Sequence, residues 1–373
     1  MEKRLVLLLS PLFLVLFSCG EPQARGPASP EDGWQPVIAV TDTIGVETGD
    51  EKLTFGFITA VGMNPGGNVA VLDAQKATLQ VFSPSGVELF SMGGFGPGPG
   101  EFQFPMAMAV LPDGYAVSDL MGGKIVFFDE NGVFQRELTG FFPTPPFSIA
   151  ASTPGGVTGF SMRMETGGDG APRASMILAT WRDSSEPSVV FHSIPVPMDG
   201  GRMMSRPEFE ITPGLDGSVY ISEKSDSLLQ VLGFSPDGDT IFSVSEPFER
   251  TPKSEEELAE ESMSISLRIS NGESTLDRTR SRDEHPYRTV VNDIGVDSLG
   301  RVWLEMGHTG QTFFRVYPPD GGSFTTVVPE NPEWLARADY SITPFGAVAS
   351  EPDPLDWPKV YLLDLPEGNG AEQ

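Results

Sequence analysis

The feature that most restricts the fold of this chain is an internal repeat. Val69-Ala70-Val71-Leu72-Asp73 and Ala116-Val117-Ser118-Asp119 are short β-prone runs that end in Asp. After each comes a polar turn, then Leu79-Gln80-Val81-Phe82 or Ile125-Val126-Phe127-Phe128, then a glycine turn, Ser83-Pro84-Ser85-Gly86 or Asp129-Glu130-Asn131-Gly132. Asp73 to Asp119, Phe82 to Phe128 and Gly86 to Gly132 all span 46 positions. A unit of that length, built from short strands punctuated by Pro, Asp and Gly turns, has the size of a propeller blade.

The unit returns twice more. Asp216-Gly217-Ser218-Val219-Tyr220-Ile221-Ser222-Glu223 leads to Leu229-Gln230-Val231-Leu232 and the turn Ser235-Pro236-Asp237-Gly238. Arg301-Val302-Trp303-Leu304-Glu305 leads to Phe314-Arg315-Val316-Tyr317 and Pro318-Pro319-Asp320-Gly321. With weaker copies over 147–200 and 337–364, the expected fold is all-β, a six-bladed β-propeller over 35–366. Residues 35–46 would join the last blade and close the ring, which removes an exposed sheet edge. Seven blades would need an extra unit within 147–200.

The second unit, Gly96-Pro97-Gly98-Pro99-Gly100-Glu101-Phe102 followed by Leu111-Pro112-Asp113-Gly114, Val117-Ser118-Asp119 and Lys124-Ile125-Val126-Phe127-Phe128, resembles the NHL repeat. The chain as a whole is similar to the six-bladed β-propeller lipoproteins of Gram-negative bacteria, across units one, two, four and five. That resemblance implies fold and location, and it transfers no catalytic residue, because propellers carry unrelated functions.

The N-terminus fits such an address. Lys3 and Arg4 precede an apolar run from Leu5 to Phe17, shorter than a membrane span needs, so residues 1–18 read as a secretory signal peptide. Leu16-Phe17-Ser18-Cys19 resembles the bacterial lipobox, which implies that Cys19, the chain's only cysteine, is acylated, palmitate included. Gly20 at the next position implies the outer membrane, by resemblance to lipoprotein sorting. Residues 19–34 then form the lipidated Cys and a Pro- and Gly-rich tether, and 367–373 a disordered tail. The other reading of Cys19 is a leftover thiol in an ordinary cleaved signal.

With one cysteine there is no disulfide framework and no thiolate metal site. The chain has 52 acidic and 24 basic residues, of which Glu2, Lys3 and Arg4 lie in the signal, leaving 51 against 22. Such a surface repels phosphate backbones, so nucleic acid is excluded as a partner. The lipid bilayer, through Cys19, and an envelope protein, peptide or glycan are the partners expected. A second reading of the acidity is solubility alone.

One segment, about 250–287, breaks the pattern and reads as a partly helical insertion. Ser254 and Glu257 have capping-box spacing ahead of an acidic turn, whereas Met263, Ile265, Leu267 and Ile269 alternate as a strand would. It is either a lid or docking element, or a solvated decoration.

Motifs for catalysis are scarce. Pro97 and Pro99 deprive the Gly93–Gly100 stretch of the N–H donors that a phosphate cradle needs. His192, His285 and His308 lack metal-ligand spacing, and no Gly-x-Ser-x-Gly elbow is present. Asp73, Asp119, Glu223 and Glu305 end the same strand in different units, so they are candidates for a cation or ligand rim at one end of the ring. No cofactor is otherwise indicated; Ca²⁺ is the ion that such oxygen ligands suit. The competing reading is that each carboxylate caps a turn through backbone N–H groups. Trp303 belongs to a core strand, whereas Trp181, Trp334 and Trp357 stand near irregular segments where they could line a pocket.

Two functions follow. The first is a non-enzymatic, envelope-anchored binding or scaffold module. The second is a metal-dependent lactonase-like or lyase-like propeller enzyme with a carboxylate-bound cation in its central channel.

Overall fold

A computed structural model describes residues 36–367 other than 142, 153–154, 169, 171, 200–201, 204–207, 256, 259–262, 271–272, 281–284, 309–310, 331–337 and 352–356. The expected signal peptide, Cys19 and tether, Trp334 and nearly all of the tail lie outside the described residues.

The repeats fold as predicted into four-stranded antiparallel sheets with sequential strands. Strands β2 (Ile58–Met63), β3 (Val69–Asp73), β4 (Thr78–Phe82) and β5 (Glu88–Gly93) form the first. The second contains β6 (Pro105–Leu111), β7 (Gly114–Asp119), β8 (Lys124–Asp129) and β9 (Phe134–Thr139). The third contains β10 (Ser148–Ser152), β11 (Gly156–Thr166), β12 (Pro172–Trp181) and β13 (Val189–Val196), and is followed by a two-residue hairpin, β14 (Met198–Asp199) with β15 (Arg202–Met203). The fourth contains β16 (Phe209–Pro213), β17 (Val219–Glu223), β18 (Leu228–Phe234) and β19 (Thr240–Pro247).

The turn chemistry that marked the repeat is visible at each hairpin. Gly86 and Gly132 take φ of 76° and 78°, and their N–H groups donate to Ser83 and Asp129 carbonyls at 2.9 and 3.0 Å. Positive φ suits glycine, so an Ala at either place would be strained.

The remaining strands join into one eight-stranded sheet. Its halves are β22 (Asp293–Val296), β23 (Val302–Met306), β24 (Phe313–Tyr317) and β25 (Thr325–Pro329), then β26 (Asp339–Thr343), β27 (Gly346–Ser350), β28 (Val360–Asp364) and β1 (Pro36–Ile44). As expected, the N-terminal strand pairs with the end of the chain, Ala39 opposite Asp364 and Ile44 opposite Val360. It also pairs in parallel with β25 at Pro36–Val328 and Ile38–Pro329. That second pairing is why the structure shows four separate four-stranded sheets and one of eight strands, not the six separate sheets expected. Nor do the described residues of 147–200 form an extra four-stranded sheet, as the seven-blade alternative would need.

First strands meet around a common centre. β2 neighbours β6, β6 neighbours β10, β10 neighbours β16, β16 neighbours β22, β22 neighbours β26, and β26 returns to β2. Apolar layers fill the spaces between neighbouring sheets: Val117 and Val126 against Leu72 and Leu79, Ile177 and Ala179 against Ala116 and Ile125, Phe209 and Ile221 against Phe160 and Leu178. Second strands are buried on both faces, β3 and β7 along their whole length, whereas the fourth strand β5 is largely open to solvent. Removing a fully buried ring such as Phe102 or Phe160 from these layers would cost about 3–5 kcal/mol.

Residues 254–258 show the predicted cap: Ser254 N–H donates to Glu257 at 2.7 Å, Glu257 N–H donates to Ser254 Oγ at 3.2 Å, and Leu258 N–H closes one helical turn on the Ser254 carbonyl at 3.0 Å. The alternating half is a strand, β20 (Met263–Ser270), which among the described residues pairs only with β21 (Glu273–Arg280). Arg288 grips Glu257 with two bonds of 2.8 and 2.7 Å, and this holds the Glu257 carboxyl down at about 2.

Candidate functional site

All four predicted rim carboxylates occupy one register position. Asp73 lies opposite Ile58, Asp119 opposite Pro105, Glu223 opposite Phe209 and Glu305 opposite Asp293, in each case the first residue of the first strand. Their uses differ. Asp73 accepts the N–H groups of Gly56, Phe57, Gln75 and Lys76 at 2.8–3.1 Å. Asp119 accepts those of Gln103 and Phe104 at 2.9 and 2.6 Å. Both are fully buried and fasten the backbone that leads into the first strand of their own sheet. Glu223 is exposed.

Glu305 behaves differently. It is only 7% exposed, and its carboxylate has no hydrogen bond or ion pair to any described residue. It faces a cavity of about 550 Å³ at the end of the channel where the first strands begin. Of the four predicted residues it alone lines this cavity.

Four charged side chains that sequence reasoning missed join it there: Glu210, Lys224, Asp293 and Asp339. Asp293 and Asp339 open β22 and β26, Glu210 is second in β16, and Lys224 follows β17 directly. A signal existed, because a first strand that starts with a carboxylate (Asp293-Ile-Gly-Val, Asp339-Tyr-Ser-Ile) departs from the apolar or neutral starts Ile58 and Ser148. Finding it required knowing that these starts converge.

The wall thus carries four carboxylates and one ammonium. Lys224 is tied to Glu210 at 2.6 Å; burial works against its charge, but Glu210, Asp293 and Glu208 outweigh it and raise its pKa. Burial, then Glu210 and Glu305, push Asp293 well above the carboxylate range. Burial and the neighbouring Asp339 do the same to Glu305, against the pull of Lys224. Asp339 opens onto the channel, yet it is held up at about 6, first by the protein that displaces bulk water around it and then by Glu210. The Tyr340 phenol beside them is pushed up by burial and by Glu305. Confined like charges of this kind disfavour their own ionisation, and an added cation relieves them. Among the described residues no three His, Cys, Asp or Glu side chains are arranged to hold a metal ion.

Trp303 donates to Asp297 at 2.8 Å and Trp181, also buried, donates to the Ser185 carbonyl at 3.2 Å; Trp357 lies under Lys359 at 4.4 Å.

Fold and site together define an all-β, propeller-type protein with one acidic channel end. No family model and no curated protein matches the chain. Solved structures do. A putative exported protein of Bacteroides fragilis is 12% identical with a TM-score of 0.45, over 89% of this chain and 96% of that one. A calcium-binding protein, regucalcin, from Agrobacterium tumefaciens is 12% identical at 0.41, over 88% and 95%. A gluconolactonase of Xanthomonas campestris is 12% identical at 0.42, over 91% and 98%. The propeller assignment rests on this chain's own strand order and closed ring, not on these likenesses. Among the described residues no helix is long and apolar enough to cross a membrane.

Proposed function

We propose that this protein is a ligand-binding propeller whose acidic channel end takes up a cation. The observation that carries the reading is Glu305, a buried carboxylate that faces the cavity with no partner among the described residues. Burial and the neighbouring Asp339 disfavour its charged form, and a bound cation would favour that form. Thermal melts of the full chain at pH 8, with and without Ca²⁺, Zn²⁺ or butylammonium, test it. An upward shift with at least one cation, absent in Glu305→Gln, is the expected result; no shift with any of them overturns the reading.

A second reading is the metal-dependent lactonase-like or lyase-like enzyme, and Asp339 favours it. A carboxyl held at about 6 sits near the operating range of a general base or acid. Cation-dependent hydrolysis of a lactone panel, abolished in Asp339→Asn, would support the enzyme, and inactivity across the panel with every metal would leave the binding module.

The blade count belongs to the same proposal. Taking the two halves of the eight-stranded sheet as blades stapled by β1 gives six, which accords with the closed circle of six first strands. NHL-like repeats, export and an outer-membrane lipid anchor at Cys19 rest on the sequence motifs described above. Under this reading the propeller presents its channel to an envelope peptide, protein or glycan. Cys19→Ala would release the protein from the membrane fraction; continued membrane association would contradict the anchor.

A further inference from the structure

The acidic cavity has a neighbour on the same end of the ring. A smaller cavity of about 40 Å³ opens beside it, with Phe248, Val290 and Met306 supplying its apolar wall. All three belong to one apolar layer, the one that packs the fourth sheet against β22 and β23, so the pocket is the open end of that layer. Thr251 and Arg288, where the insertion leaves and rejoins the ring, line it as well, and the Arg288 N–H donates to the Thr251 carbonyl at 2.9 Å. The Arg288 side chain is already held by Glu257, with bonds of 2.8 and 2.7 Å.

The two cavities adjoin through the chain itself. Lys224, Asn292 and Glu305 line the acidic one, while Asp226, Val290 and Met306, one or two positions away from them, line the apolar one. Neighbours on a strand point to opposite faces, which is how Glu305 serves one cavity and Met306 the other. Two residues of chain span at most about 7 Å, and that is also the spacing of side chains i and i+2 on one face of an extended peptide.

We infer that the partner is an extended peptide that places a basic side chain at Glu305 and, two positions away, a small aliphatic side chain in the pocket of Phe248, Val290 and Met306. The inference rests on the cation-binding reading above and names the partner that brings the cation. Charge complementarity selects it: Glu305 is 7% exposed and faces its cavity with no partner among the described residues, and one carboxylate suffices for one basic side chain. At roughly 30 Å³ per water-sized group, the apolar pocket admits the end of an aliphatic side chain and excludes an aromatic ring.

Calorimetric titration of the full chain at pH 8 with acetyl-Val-Gly-Arg-Gly-Val-amide, its isomer acetyl-Gly-Val-Arg-Val-Gly-amide and the uncharged acetyl-Val-Gly-Gln-Gly-Val-amide tests this. The first should bind one per protein and roughly fivefold more tightly than its isomer, which has the same composition with the wrong spacing. The uncharged peptide should bind at least tenfold more weakly than the first. Thr251→Trp, which fills the pocket, should bring the two isomers level; if that variant fails to fold, the three peptides on the native protein still decide. Equal binding of the isomers overturns the peptide pattern and leaves cation uptake standing. Equal binding of the charged and uncharged peptides overturns it too. So does no binding of any peptide, and the cation melts then judge the wider reading by themselves.

Discussion

Asp73 and Glu305 stand at equivalent places in two sheets, opposite the first residue of the first strand, and they do opposite things. Asp73 is saturated by four backbone N–H groups, while Glu305 reaches a cavity wall and finds no partner among the described residues. Asp119 sides with Asp73. The shorter side chain turns back onto the strand entrance that it serves. The longer one lies opposite a second carboxylate, Asp293, and beside the carboxylates of neighbouring first strands. One position in the repeat is used for stability in the first two sheets and for electrostatic poise in the eight-stranded sheet. Charge at the channel end thereby falls on one side of the ring, from β16 through β22 to β26, facing the neutral Thr59 of β2.

Mutations should separate the two uses by sign. Asp73→Ala leaves four N–H groups without their acceptor and should destabilise by about 3 kcal/mol in urea melts, since each bond to a charged group contributes roughly 1.5–3 kcal/mol and such values do not add; Asp119→Ala should follow closely. Glu305→Gln should instead stabilise the ligand-free protein by about 1 kcal/mol at pH 8, because it removes an ionisable group that burial and Asp339 hold away from its charged form. A loss of stability there would erase the contrast.

The pH dependence has a smaller effect with a fixed sign. Asp339, at about 6, and the raised Glu305 and Asp293 bind protons more tightly folded than unfolded. Their contribution is fully present below the ordinary carboxylate range; that of Asp339 is lost as pH rises through about 6, and those of Glu305 and Asp293 are lost as pH rises through their own raised pKa values. The melting temperature of the ligand-free protein should therefore fall between pH 4.5 and 7.5, with a shallower slope in Asp339→Asn. Smallest is Lys224→Met: removing the cation that pulls against Glu305 and Asp339 should move the Asp339 titration above 6, as read by carboxyl NMR.

Much of the fold was legible because the repeat encodes it locally. Ser83-Pro84-Ser85-Gly86 and its copies specify hairpins from within, and the Ser254–Glu257 cap formed as its spacing implies. The merging of the last two units was not, because the parallel pairing of Pro36 with Val328 depends on contacts almost the whole chain apart. The site was half legible for the same reason. Equivalent strand ends marked Glu305 together with Asp73, Asp119 and Glu223, but sequence does not tell a carboxylate that turns onto its own backbone from one that faces the channel. Asp293, Asp339, Glu210 and Lys224 become a cluster only once first strands from separate units share a centre.

The most direct test is cation binding by the full chain at two pH values. At pH 8 the acidic channel end should bind one cation per protein, and at pH 4.5, with Asp339 protonated, the same titration should show little heat. The response at pH 8 should vanish in Glu305→Gln. Binding equally strong at both pH values, or undiminished in that variant, would contradict the account.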